Sequence, residues 1–186
     1  MDPDDYPRVV SLACHDLRTP LATVFGFSRT LARGGDLDER SARFIGMMGE
    51  AADQMAELLD QLAVSARIAA DRWEPGLREI DTLALARTAD AAVTAEGSGE
   101  VVETEVEAIG RALRSLARAA RLHGRVEEVA WNVDGRVLSL SPVNPEAAPI
   151  VLGDEIRDLG SIVARQVIEA LGGSLELDGE TLRVRV

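Results

Sequence analysis

The segment His15-Asp16-Leu17-Arg18-Thr19-Pro20-Leu21 gathers side chains able to do covalent chemistry within little more than a helical turn. The imidazole of His15 offers a nucleophilic ring nitrogen. The carboxylate of Asp16, next in sequence, can take the proton of the other ring nitrogen or fix the tautomer. Thr19 stands four residues on, so a helix brings its hydroxyl beside the imidazole, where it can orient a water or a phosphoryl oxygen. Pro20 removes one backbone hydrogen bond just past the reactive turn and bends the helix there. A lone histidine on a mostly apolar helix is ordinarily a structural residue. The heptamer around His15 is what sets this one apart.

Those residues need a helix to hold them, and the flanking sequence provides one. Apolar residues recur at helical spacing from Val9 to Leu31, as one wide stripe. Gly34-Gly35-Asp36 breaks the pattern, and Asp36 or Asp38 can cap a second helix. A second stripe runs through Phe44, Ile45, Met48, Ala52, Met55, Leu58, Leu59, Leu62 and Ile68. Two long helices joined by a short turn form an antiparallel hairpin. Two helices cannot enclose stripes this wide, so two hairpins are expected to pair as a homodimeric four-helix bundle. The first domain is therefore expected over residues 1–72 and the second over 73–186.

After Trp73, Pro75 and Gly76 punctuate the chain and the period changes. Short alternating runs fall at 77–80, 101–106, 126–133, 137–140, 175–177 and 182–186, with helical segments at 83–93, 108–122 and 156–171. Asp134-Gly135 marks a hairpin turn. This half predicts one mixed sheet with helices on one face, so the chain as a whole is α+β: a helical hairpin followed by a two-layer α/β sandwich.

Composition narrows the function. At 186 residues the chain has length for a real core, and 46% hydrophobic with 28% charged residues is ordinary for a soluble globular protein. No apolar run is long enough to span a bilayer. The opening Met1-Asp2-Pro3-Asp4-Asp5 is acidic, unlike a secretory signal, so a cytoplasmic location away from membranes is expected. One cysteine, Cys14, excludes an internal disulfide and a cysteine-based zinc cage. The net charge of −12 argues against nucleic-acid binding. Every basic residue is Arg, and a phosphate-binding P-loop needs a Lys.

The heptamer, a His and an acidic residue followed by Arg-Thr-Pro-Leu, resembles the phosphoacceptor motif of sensor histidine kinases. The likeness extends through Leu58-Leu59-Asp60-Gln61-Leu62, Ser65-Ala66-Arg67-Ile68, Trp73-Glu74-Pro75 and Ile80-Asp81, which resemble the end of that family's second helix and the entry to its catalytic domain. The resemblance implies that His15 is the phosphoacceptor, Asp16 the base for phosphorylation, and Thr19 the residue that positions water in dephosphorylating a response regulator. Arg18 and Pro20 are the supporting members of the motif.

The second half is similar in order to the family's ATP-binding domain, the Bergerat fold, but departs from it at the chemical positions. The family's magnesium-binding Asn falls on Ala119, and a methyl group cannot ligate a hard cation. Arg118 beside it adds positive charge. The adenine-binding segment, an Asp followed by spaced glycines in the family, is Ser141-Pro142-Val143-Asn144-Pro145 here. Without the glycines the backbone cannot approach closely, and the prolines stiffen the segment. In the second glycine box Gly160 survives, while Asp158 replaces the other glycine and would repel a triphosphate. Between Asn144 and Asp158 there is room only for a short lid. No cofactor is therefore expected in this chain, and magnesium is expected from the partner receiver domain.

These readings predict a histidine phosphotransferase that exchanges a phosphoryl group at His15 with response-regulator receiver domains, with an upstream histidine kinase as a further partner. One alternative is a sensor histidine kinase core that autophosphorylates from ATP, or a response-regulator phosphatase. Another is a non-catalytic pseudokinase that sequesters a receiver. Other residues read as structural: Cys14 as packing, Trp73 and Trp131 as core or interface, His123 as a surface or capping residue, and Asp36, Asp38 and Glu39 as a solvated loop and helix start.

Overall fold

A computed structural model describes residues 6–34 and 37–186. The chain divides into two compact units, Met1–Arg72 and Trp73–Val186. The acidic opening residues and Asp36 lie outside the described residues, so the reading of Asp36 as a cap falls there too.

The first unit is two helices, α1 (Tyr6–Arg33) and α2 (Glu39–Ala69), packed along each other. Asp38 is the N-cap of α2; its carboxylate accepts from the Ser41 N–H at 2.7 Å. That hydrogen bond is the chief reason its carboxyl sits below the ordinary aspartate range. The seam between the helices is built from small side chains. Cys14, Ala52, Ala63 and Ala66 are buried in it, with Ser28 and Gln61. Small residues let the backbones approach but bury little apolar area. The large residues of both stripes point elsewhere: Leu12 is 61% exposed and Phe27 67%, with Leu17, Phe44, Met48 and Leu58 about half exposed. No helix among the described residues is long and apolar enough to cross a membrane.

The second unit runs β1 (Arg78–Asp81), α3 (Thr82–Ala89), β2 (Thr94–Gly99), β3 (Val101–Thr104), α4 (Val106–Gly124), β4 (Ala130–Gly135), β5 (Val137–Ser141), α5 (Ala148–Val151), α6 (Leu159–Ala170), β6 (Ser174–Asp178) and β7 (Thr181–Arg185). Five strands form one sheet in the order β2-β4-β5-β7-β6, antiparallel except for the parallel β2–β4 pair. Alternation along the strands turns Trp131, Val133, Leu138, Leu140, Leu182 and Val184 toward the helices, where all are buried. The other face carries Asn132, Asp134, Glu176, Arg183 and Arg185 and is exposed.

The single mixed sheet expected from sequence is corrected here: β1 and β3 form a separate two-stranded antiparallel sheet. Residues 94–104 are nearly one extended run that changes partners at Glu100. Thr82, fully buried, pins that change. Its hydroxyl donates to the Gly135 carbonyl at 2.6 Å and accepts from the Glu100 N–H at 3.0 Å. Gly97, at φ 117°, lies so close to β4 that a Cβ there would run into the Val133 backbone. β2 escaped the sequence reading because Thr-Ala-Glu-Gly-Ser-Gly carries almost no strand propensity, and only its pairing with β4 makes it a strand.

Candidate functional site

His15 lies in the third turn of α1 with its side chain 78% exposed. Its Nδ1 stands 3.2 Å from Asp16 Oδ1. A carboxylate can only accept, so Nδ1 is the donor in this contact and Nε2 is the ring nitrogen left outside it. Asp16 is 69% exposed, so the contact orients the ring rather than contributing much stability. Thr19 is exposed one turn further along α1, on the same side as His15 by helical spacing. Arg18 crosses to α2 and donates to Asp60 at 2.7 Å. Pro20 is accommodated inside α1, which continues to Arg33, although its ring leaves the Asp16 carbonyl without its usual helical donor. Thus all five motif residues lie on one exposed stretch of helix. Asp60, which holds Arg18, was not singled out from sequence; nothing in spacing alone marks a contact 42 residues away.

Below this stretch, Leu17, Pro20, Leu21, Val24, Met55, Leu58 and Leu59 line an apolar groove of about 400 Å³ between the two helices. Cys14 is 2% exposed in the seam, which fits a packing role.

The second unit places Ala119 on α4, Asp158 and Gly160 at the start of α6, and Ser141 apart from them at the end of β5. Ala119 is fully buried on the inner face of α4 and offers only a methyl group. Ser141 ends β5 and is exposed. Asp158 is the N-cap of α6: Oδ1 accepts from the Ser161 N–H at 2.9 Å, and Oδ2 lies 3.4 Å from His123 Nε2. A helix N-terminus attracts phosphate, but here a carboxylate already holds that place. His123 is corrected accordingly: it is a half-buried residue facing Asp158, not a surface or capping one. Gly160 has a packing reason to remain glycine, since a Cβ there would sit 3.0 Å from the Ser115 side chain.

The expected short lid is also corrected. Residues 142–158 fold down and include the helix α5, which packs on both α4 and α6. Val143, Ala147 and Val151 are fully buried. Three fastenings hold the segment. The Val143 N–H donates to the Glu180 carbonyl at 2.7 Å, Asn144 Nδ2 donates to the Gly124 carbonyl at 2.7 Å, and Arg165 donates to the Leu152 carbonyl at 3.1 Å and to Asp154 at 2.7 Å. The apolar residues from Val143 to Val151 were the available signal, hidden by the prolines among them.

The family model of the His Kinase A (phospho-acceptor) domain matches residues 8–71. Full-length ShkA, solved in complex with AMPPNP, is similar in structure with a TM-score of 0.66 and 20% identity; the likeness covers 96% of this chain and 44% of that one. The Acinetobacter baumannii histidine kinase AdeS is similar with a TM-score of 0.57 and 18% identity, over 92% of this chain and 97% of that one. This chain therefore spans less than half the length of the ShkA structure. No curated protein matches the sequence. Residues 8–71, which span α1 and α2, thus match a His Kinase A (phospho-acceptor) domain, and the fold over both units is like that of these two proteins.

Proposed function

We propose that this chain is a histidine phosphotransferase of a phosphorelay, working as a homodimer and exchanging phosphoryl groups between His15 and the aspartate of receiver domains. The observation that carries it is the contrast between an accessible, oriented His15 and the packed space between α4 and α6. Nε2 of the neutral imidazole attacks the phosphorus of an aspartyl phosphate in line. The N–P bond forms, the P–O bond to the aspartate breaks, and the carboxylate leaves. Positive charge grows on the ring, and Asp16, held at Nδ1, stabilises it. The reverse sequence returns the phosphoryl group to a second receiver. Arg18 and Pro20 support the turn that carries these groups.

No nucleotide step enters this mechanism, because the residues present do not fit one. Ala119 supplies no oxygen for magnesium. Asp158 sets a carboxylate where a phosphate would lie, and residues 142–158 fill space beside it. In this reading the receiver brings the magnesium.

A nucleotide-dependent kinase core remains the second reading, favoured by the likeness in fold to ShkA, solved with AMPPNP. Calorimetric titration with magnesium-AMPPNP separates the two: the phosphotransferase releases no binding heat, and the kinase saturates. Loss of phosphate from a receiver with no label on His15 would assign the site to Thr19-assisted dephosphorylation instead.

A further inference from the structure

α4 carries arginines at 111, 114, 118 and 121 and is capped by Arg125, and no Asp or Glu stands between Gly110 and Arg125. Steps of three and four keep the four helical arginines within roughly a quarter of the helix circumference, and Arg125 follows as the left-handed C-cap. The opposite face, with Ile109, Leu113, Leu116 and Ala120, is buried, so the stripe faces outward. Arg114, Arg118, Arg121 and Arg125 are exposed and Arg111 is half-buried. Two have evident local partners: Arg111 stands 3.6 Å from Glu107, and Arg114 donates to the Ala89 carbonyl at 2.6 Å. Arg118, Arg121 and Arg125 form no ion pair or side-chain hydrogen bond among the described residues.

The needs of the helix do not account for this. The macrodipole favours cations only in the last turn, which covers Arg121 and Arg125 but not the other three. Like charges three and four apart repel, so the stripe costs stability. The chain is otherwise acidic, at −12, and α2 mixes both signs along its length.

We infer that the α4 arginine stripe is a docking surface for the acidic face of the phosphoryl-carrying receiver domain. The inference rests on the phosphotransferase reading. In that reading the partner brings a magnesium ion, and a hard cation requires oxygen ligands, so the partner presents clustered carboxylates. Guanidinium groups suit carboxylates in geometry as well as charge, and such a match speeds encounter and rejects wrong partners. A nucleic acid also favours arginine, but it would bring a long polyanion against a chain of net charge −12.

The test uses the full chain and purified receiver domains from the same organism, with dissociation constants measured from low to high salt. The double variant Arg118→Glu/Arg121→Glu is expected to weaken receiver binding about tenfold or more and to flatten its salt dependence. The milder Arg118→Gln/Arg121→Gln falls between. Arg183→Glu, on the exposed sheet face, leaves the affinity unchanged. Chemical labelling of His15 by phosphoramidate is expected to be equal in all variants, which certifies the phosphoacceptor unit. Unchanged receiver affinity in the charge-reversed variant overturns the inference, as does selective binding of a DNA duplex through the same arginines. Receiver binding that follows the stripe without phosphoryl exchange supports the inference while overturning the phosphotransferase reading.

Discussion

The two units solve the problem of burial in opposite ways. In the second unit Trp131, Leu113, Leu116, Leu138, Leu140 and Leu182 are fully enclosed between one sheet and its helices. In the first, the buried residues are all small or polar, Ala52, Ala63 and Ala66 with Cys14, Ser28 and Gln61, while Leu17, Leu58, Phe44 and Met48 stay about half exposed. A unit that encloses its own large side chains is stable alone; one that leaves them out needs a partner surface. The proposed phosphoacceptor follows the same division. His15 sits exposed on the unit with the unfinished core, and in the finished unit α5 packs on both α4 and α6.

Substitutions can break this comparison, and the largest effect is expected in the hairpin. Leu17→Asp with Leu58→Asp places charges on the apolar groove, and a dimer held by that face dissociates by two orders of magnitude or more, on the order of 3 kcal/mol. Sedimentation reads it directly; unchanged mass would show that another surface carries the association. In the second unit, Gly97→Ala forces a Cβ into the β4 backbone and should cost about 2 kcal/mol or more, seen as a lowered thermal midpoint. That change should leave chemical labelling of His15 intact, because the labelled residue lies in the other unit. Asp16→Asn keeps the shape beside His15 but removes the charge that supports the ring, and phosphoryl transfer should fall about 100-fold in stopped-flow measurements.

The smallest effect concerns pH. The Asp38 carboxyl is held below its ordinary range, chiefly by the Ser41 N–H. A folded-state value below the unfolded one contributes stability at neutral pH, which is lost as pH falls through the acidic range under that of a free aspartate. Hydrogen-exchange protection in the first turn of α2, taken relative to the intrinsic rate at each pH, should therefore fall on acidification in the wild type. In Asp38→Asn the cap can persist while this pH dependence disappears.

Much of this was legible in the sequence because it depends on local pattern. The period of 3.6 from Val9 to Leu31 and from Phe44 to Ile68 corresponds to α1 and α2, and the alternating runs correspond to six of the seven strands. The heptamer announced His15 because its residues act on one another across a single turn. What stayed hidden depends on distant partners. β2 is a strand because β4 lies beside it, Arg18 is oriented by Asp60, and His123 meets Asp158 across 35 residues. The packed segment 142–158 was read as a lid because its prolines and its short helix, only four residues, give no periodic signal.

The central claim is that His15 takes its phosphoryl group from a receiver and not from a nucleotide. Two matched samples test it, one given labelled ATP with magnesium and one given a labelled phosphorylated receiver domain, each followed for acid-labile label on His15 with His15→Ala as the control. The account predicts label from the receiver alone and none in the variant. Label from ATP on wild-type His15 would contradict it and make the space between α4 and α6 a working nucleotide site.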